Sequence, residues 1–166
     1  KPIELRGIDP NDDKILGFPV IDANGTGPVV SFTHLEDPNC SMTGFVITRG
    51  RGDWASGIYC HGSSPTIANC LIVGNRATDP NGSALQFVDS NAVLVNCTIA
   101  DNLGGEQGGA ISLTNSDIKL VNSIVWRNMP RALLLSADSH PAISYTDIPD
   151  VTGVGNMDVD PLFTKI

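Results

Sequence analysis

The side chains best suited to chemistry in this sequence are aromatic and basic residues in its first half. Trp54 follows Arg49 and Arg51 closely, and an indole ring beside guanidinium groups offers a stacking platform for a sugar ring. Tyr59 and Gln86 occupy equivalent positions of the repeat described below, so they extend the same surface. These five residues are predicted to bind carbohydrate.

A candidate metal site lies near the start of the sequence. Asp9, Asn11 and Asp13 place oxygen ligands at alternate positions, as calcium-binding loops do. The segment lacks the following Gly and the distant bidentate Glu of an EF-hand. We therefore interpret it as a candidate surface site for Ca²⁺. No other pattern in the sequence requires a cofactor.

The four cysteines divide into two pairs. Cys70 and Cys97 fall at equivalent positions of successive repeats, where in-register parallel strands hold β-carbons about 4.8 Å apart. A relaxed disulfide needs about 3.8 Å, so stacked, buried thiols are predicted there. Cys40 and Cys60 flank corners of adjacent repeats and form a candidate disulfide, which would suit an exported protein.

The elements that must position these residues follow from an internal repeat. Three segments align column by column: SSPTIANCLIVG from Ser63, SNAVLVNCTIAD from Ser90 and SDIKLVNSIVWR from Ser116. The copies are 27 and then 26 residues apart, and weaker copies precede and follow them. Each holds short β-branched or apolar runs separated by Gly, Asn, Asp and Ser, without helical spacing. A period of this length indicates a solenoid, a propeller or an array.

The composition of each unit narrows this choice. The units lack the apolar spacing that helical repeats require. Leucine-rich repeats need denser Leu, and propeller blades need about 40 residues. A parallel β-helix remains, in which each turn stacks on the one before. The predicted fold is all-β: a parallel β-helix of about six turns with inward ladders of Asn side chains.

Two columns of Asn are expected to be structural. Stacked amides can bond to one another, so an inward ladder is predicted for the first column, and its central member should tolerate Ala or Leu poorly. The second column closes each strand, where Asn tolerates left-handed backbone angles. The first column is Asn69, Asn96 and Asn122, and the second is Asn75, Asn102 and Asn128.

The segments GIYCHGSSPTIANCLIVGN, NAVLVNCTIADN and GVGNMDVDPLF resemble the right-handed parallel β-helix proteins of the pectate-lyase-like superfamily. They are similar to repeat segments of large secreted proteins of planctomycete-type bacteria. The resemblance implies a right-handed coil and an extracellular or cell-surface location. It leaves function open, because lyases, hydrolases, adhesins and inert stalks share this fold.

A single domain spanning residues 1–166 is predicted, as a segment of a larger protein. Residues 1–26 form a degraded first turn, residues 27–148 the main repeats, and residues 149–166 a C-terminal cap. An open solenoid end exposes unpaired strands, so the first turn should contact the remainder of a larger chain or a second copy.

Charge and hydropathy exclude several functions. The net charge of −8 repels the phosphates of nucleic acids, and no apolar run is long enough to cross a membrane. If Ile58, Leu85 and Ile111 point inward, none of the outward residues beside them is acidic, which disfavours a lyase-type calcium site. These outward residues are Tyr59, Gln86 and Ser112. The sequence favours a non-catalytic structural or adhesive module that binds polysaccharide; the alternative is a polysaccharide lyase or glycoside hydrolase.

Overall fold

A computed structural model describes residues 2–7 and 19–163, in which sixteen short strands and no helices are assigned. The strands are β1 (Glu4–Arg6), β2 (Val20–Asp22), β3 (Val30–Phe32), β4 (Ser41–Thr43), β5 (Val46–Thr48), β6 (Ala55–His61), β7 (Thr66–Ala68), β8 (Leu71–Val73), β9 (Ser83–Val88), β10 (Val93–Val95), β11 (Thr98–Ala100), β12 (Ile111–Thr114), β13 (Lys119–Val121), β14 (Ile124–Trp126), β15 (Leu133–Leu135) and β16 (Ala142–Ser144).

Every third strand joins the same sheet, so the chain coils through three parallel sheets. Sheet 1 is β1-β4-β7-β10-β13-β16, sheet 2 is β2-β5-β8-β11-β14, and sheet 3 is β3-β6-β9-β12-β15. The predicted parallel β-helix is therefore confirmed. The predicted count of six turns is corrected to five complete turns, after which β16 begins another.

The core consists of vertical columns of apolar side chains. The middle residue of each strand in sheets 1 and 2 points inward, and residues in register touch from turn to turn. Sheet 3 contributes Ile58, Leu85 and Ile111, which are fully buried as expected. The sheet 1 column includes Met42, Ile67, Leu94 and Leu120, and the sheet 2 column includes Ile47, Ile72, Ile99 and Val125.

Residues with a left-handed backbone conformation (positive φ) turn the chain at the corners. Between sheets 1 and 2 they are Gly44, Asn69, Asn96, Asn122 and Tyr145, with φ between 49° and 79°. After sheet 2 they are Arg49, Gly74, Asp101 and Arg127, and after sheet 3 they include Gly62, Asp89 and Asn115. Gly and Asn adopt this conformation at the lowest cost, which explains their abundance in these columns.

The residue after each left-handed residue points inward and is usually polar. Its backbone N–H donates a hydrogen bond to the side chain of the equivalent residue in the next turn. Asn75 N–H donates to Asn102 Oδ1 at 3.0 Å, and Asn102 N–H donates to Asn128 Oδ1 at 3.0 Å. Ser63 N–H and Ser90 N–H donate in the same way to Ser90 Oγ and Ser116 Oγ. At the third corner, Cys97 N–H donates to Ser123 Oγ at 3.1 Å.

The two Asn columns exchange their predicted roles. Asn69, Asn96 and Asn122 do stack, but on the outside, where Asn96 Nδ2 donates to Asn69 Oδ1 at 3.1 Å. Strict alternation from the inward Ile67 would turn Asn69 inward, and the left-handed backbone breaks that alternation. Asn75 and Asn102 form the inward ladder, with Asn128 half-buried at its end.

The C-terminal segment lies over the last turn. Val154 O accepts a hydrogen bond from Tyr145 N–H at 2.9 Å, and Met157 N–H donates to Thr146 O at 3.0 Å. Asn156 Oδ1 accepts from Thr146 N–H, as the inward side chains of earlier turns do at this corner. The segment thus supplies bonds that a further turn would supply.

The inward Asn ladder gives a stability prediction. Asn102→Ala leaves Asn75 N–H and the carbonyl groups of Ile72 and Ala100 without the partners they have in the ladder. Unpaired buried polar groups cost roughly 1–3 kcal/mol each, so the free energy of unfolding should fall by at least about 2 kcal/mol. Urea denaturation measures this loss.

Asn96→Gly is the matched control, since Gly keeps the left-handed backbone and Asn96 is exposed. It should change stability by less than about 1 kcal/mol. A larger loss for Asn96→Gly than for Asn102→Ala would contradict the assignment of the inward ladder.

The C-terminal segment gives a second prediction. Deleting residues 150–166 removes the bonds from Val154 and Met157 and uncovers the edge of the last turn. The shortened chain should self-associate, as measured by light scattering coupled to size-exclusion chromatography. A shortened chain that stays monomeric would show that these residues are not a cap.

Candidate functional site

The candidate site begins at the short corner loop between β5 and β6. The loop follows the left-handed Arg49 and is fixed by close backbone packing: a Cβ added at Gly52 would lie 2.0 Å from Ala55 O. Arg51 N–H donates to Gly27 O at 2.8 Å, which ties the loop to the turn before it. The loop therefore presents its side chains from a defined backbone.

A pocket of about 460 Å³ lies beside this loop. Its walls come from two successive turns and are formed by Gly27, Pro28, Arg51, Gly52, Asp53, Trp54, Ala55 and Tyr59. Trp54 is 60% exposed, although residues with large aromatic side chains are usually well covered. Asp53 Oδ1 accepts a hydrogen bond from the Thr78 hydroxyl of the next turn. Arg51 and Asp53 thus bring opposite charges to the same wall.

Three of the five predicted carbohydrate-binding residues line this pocket: Arg51, Trp54 and Tyr59. Gln86 lies next to Tyr59, in register on the neighbouring strand β9. Arg49 is directed elsewhere, since its guanidinium forms an ion pair with Asp22 at 2.6 Å. The hydrogen bond from Arg49 also lowers the pKa of the Asp22 carboxyl. Arg49 therefore does not line the pocket, and its place on the binding surface stays a prediction.

The outer face of sheet 3 continues from the pocket as a row of uncharged polar side chains. Tyr59, Gln86 and Ser112 lie in register on β6, β9 and β12. We call these three residues the polar row. The ring of His61 stacks on that of Tyr59, with centroids 6.2 Å apart. The pocket and the polar row together form one surface across four turns.

The sequence did not predict the contribution of Gly27, Pro28 and Asp53 to the pocket. Gly27 and Pro28 lie at the boundary of the turn that the sequence marks as degraded, where no repeat column places them. The Gly-Thr-Gly-Pro run from Gly25 was the available signal, because such runs form tight turns. A second cavity, of about 490 Å³ near Leu133 and Val151, has neither Trp nor Tyr in its walls.

The predicted calcium ligands Asp9, Asn11 and Asp13 lie outside the described residues. Within residues 2–7 and 19–163, no group of three or more His, Cys, Asp or Glu side chains is arranged to hold a metal ion. Within the same part of the chain, no helix has the length and apolar character needed to cross a membrane.

The predicted Cys40–Cys60 disulfide is wrong, because both residues are free thiols. Cys60 points into the core from β6, in register with Phe32 and Phe87 of sheet 3. Cys40 precedes β4 of sheet 1, so the two side chains belong to columns of different sheets. A disulfide requires two β-carbons that face each other closely.

Cys70 and Cys97 are buried and free, at equivalent positions of successive turns. Cys97 Sγ donates weak hydrogen bonds to Val95 O and Ile67 O. Burial raises the pKa of the Cys97 thiol to about 12, and it also raises the pKa values of Cys70 and Cys60. These thiols therefore act as small apolar core residues.

The raised pKa of Cys97 gives a prediction for pH. Its folded pKa lies above the ordinary thiol value of about 8.5, so the native state holds its proton where the unfolded state ionises. Below about pH 8.5 the neutral thiol makes its full contribution to the free energy of unfolding. As the pH rises from there towards 12, this contribution falls by up to about 1.4 kcal/mol per pH unit.

Cys97→Ser is the informative variant, since Ser123 occupies the same column one turn further on. Between pH 8 and pH 10.5 the free energy of unfolding should fall in both proteins. The fall should be about 2 kcal/mol smaller in the variant than in the parent, as measured by urea denaturation. Equal losses in both proteins would contradict a neutral Cys97 thiol.

Comparisons with known proteins identify a family and no individual relative. The family model described as "Right handed beta helix region" matches residues 20–152. No curated protein matches, and no solved structure matches.

Proposed function

The chain belongs to the right-handed β-helix family, and from that premise we propose that it is a non-catalytic module that binds polysaccharide through the pocket at Trp54. Because this fold hosts many activities, the proposal rests on the site and not on the fold. The observation that carries it is Trp54, which is 60% exposed and shares the walls of a concave surface with Tyr59.

The chemistry of the pocket favours sugar binding. Aromatic faces pack against the apolar faces of sugar rings, while Arg51 and Asp53 can donate to and accept from hydroxyl groups at the rim. The pocket is formed by tight backbone packing at Gly50 and Gly52, so little ordering is needed when a ligand binds.

The same pocket supports binding better than cleavage. Most glycoside hydrolases use two carboxylates that flank the scissile bond, and Asp53 is the one acidic side chain in the walls of this pocket. A carbohydrate-active enzyme is the second candidate. It is favoured by Arg51, since the lyases of this fold use Arg or Lys as the base, and Arg51 shares the pocket with Asp53.

The proposed location is extracellular or at the surface of a bacterial cell, as expected from the resemblance to secreted proteins. The proposed macromolecular partner is the remainder of a larger chain or a second copy, at the end where β1 lies. Ile3 is 70% exposed and Leu5 46% exposed at that end. Calcium binding at Asp9, Asn11 and Asp13 stays a proposal.

A glycan array, probed with and without Ca²⁺, tests the proposed function. Binding without change to the glycan supports a module. Unsaturated products that absorb in the ultraviolet would instead establish a lyase, and newly formed reducing ends would establish a hydrolase. Absence of binding to every glycan would contradict the proposal.

Trp54→Ala tests the residue on which the proposal depends. Loss of the stacking platform should weaken binding by about 1–2 kcal/mol, or roughly tenfold in Kd, measured by calorimetry with a glycan found on the array. Trp126→Ala is the matched control, because Trp126 lies on β14 of sheet 2, away from the pocket. Equal weakening by both substitutions would exclude a specific role for Trp54.

A further inference from the structure

The polar row contains hydrogen-bonding groups that have no partner among the residues that the structure describes. Gln86 is 8% exposed and Ser112 is 5% exposed, although both point outward from sheet 3. Within residues 2–7 and 19–163, neither side chain makes a hydrogen bond. No fully buried side-chain nitrogen or oxygen in that part of the chain lacks a partner, so these polar tips must reach solvent. Each side chain is covered along its length and presents only its tip.

A covered polar side chain with an unused tip indicates a ligand. Burial restricts the rotamers of Gln86, so a ligand that bonds to its amide loses little entropy on fixing it. Ordinary surface Gln side chains are exposed and mobile, and they bond to water. The row begins at Tyr59, which also lines the pocket, so its tips continue the same binding surface.

The groups in the row select for hydroxyl groups. The Gln86 amide and the Ser112 hydroxyl each donate and accept hydrogen bonds, as sugar hydroxyls do. A carboxylate or sulfate only accepts, and it would need a cation to offset its desolvation. The row itself has no charged residue, and the pocket walls contain the acid Asp53 as well as the base Arg51.

The surroundings of the row also disfavour an anionic polymer. The net charge of −8 repels polyanions at long range. The loops that precede β9 and β12 carry exposed or half-exposed acids, Asp79 and Glu106. Long-range attraction of a polyuronate is therefore absent.

We infer that the surface binds an uncharged polysaccharide that runs from the Trp54 pocket along the solenoid axis, with Gln86 and Ser112 reading its hydroxyl groups. This inference rests on the proposed function and adds the class and direction of the ligand. Three strands at about 4.8 Å spacing place the row over roughly 10 Å. Gln86 and Ser112 are specificity-determining residues of this surface.

The test uses calorimetry of the whole chain with hexasaccharides of glucan, mannan and xylan, and with hexagalacturonate, at 50 and 500 mM salt. At least one neutral hexasaccharide should bind with a Kd that changes less than about twofold with salt, because no charges are neutralised. Gln86→Leu and Ser112→Ala should each weaken that binding by about five- to tenfold. Thr114→Ala, at an exposed outward position of β12, should leave it unchanged.

The outcomes separate the inference from the proposed function. Preferred, salt-sensitive binding of hexagalacturonate that depends on Trp54 would overturn the inference and leave carbohydrate binding intact. Neutral binding that depends on Trp54 and survives both row substitutions would also overturn it. Failure of all four glycans to bind would overturn both. Ser112→Ala removes one small hydroxyl, so it provides a folded variant if Gln86→Leu unfolds, and thermal denaturation of each variant checks this.

Discussion

The hydrogen bond from the backbone N–H at each corner to an inward side chain of the next turn is the constraint on which this solenoid depends. A chain that turns sharply three times per coil takes those N–H groups out of the sheet ladders and into the interior. Each would cost roughly 1–3 kcal/mol if left unpaired. The bonds from Asn75 to Asn102 and from Ser90 to Ser116 meet this requirement by linking successive turns. The sequence repeats because every turn must supply such a side chain at the same corners.

The same constraint explains why different corners use different residues. The Asn amide at the sheet 2 corner accepts from a backbone N–H and also donates to two carbonyls, as Asn102 does with Ile72 O and Ala100 O. The hydroxyl of Ser90, at the sheet 3 corner, accepts from Ser63 N–H and donates to Val88 O. At both corners one inward side chain therefore satisfies more than one backbone group.

Much of the fold could be predicted from the sequence, because stacking makes like residues recur. The recurring apolar columns of the repeat, such as Ile67 with Leu94 and Ile58 with Leu85, form the buried core. The Asn assignment failed for a local reason: strict alternation does not continue through a left-handed residue such as Asn69. A column alignment shows which residues stack, and it does not show on which side of the backbone they stack.

The pocket could be predicted only in part, because it lies where the repetition fails. Residues 49–54 connect sheets 2 and 3 in the second turn, whereas residues 74–82 and 101–110 make the longer connections in the next two turns. Gly50 occupies the column that holds Asn75 in the following turn, and a Cβ there would lie 1.7 Å from Ser56 O. The close backbone packing at Gly50 therefore excludes the ladder side chain, and the pocket lies between this loop and Gly27 and Pro28 of the preceding turn. Repetition builds the scaffold, and the corner loop between β5 and β6 exposes Trp54 on it.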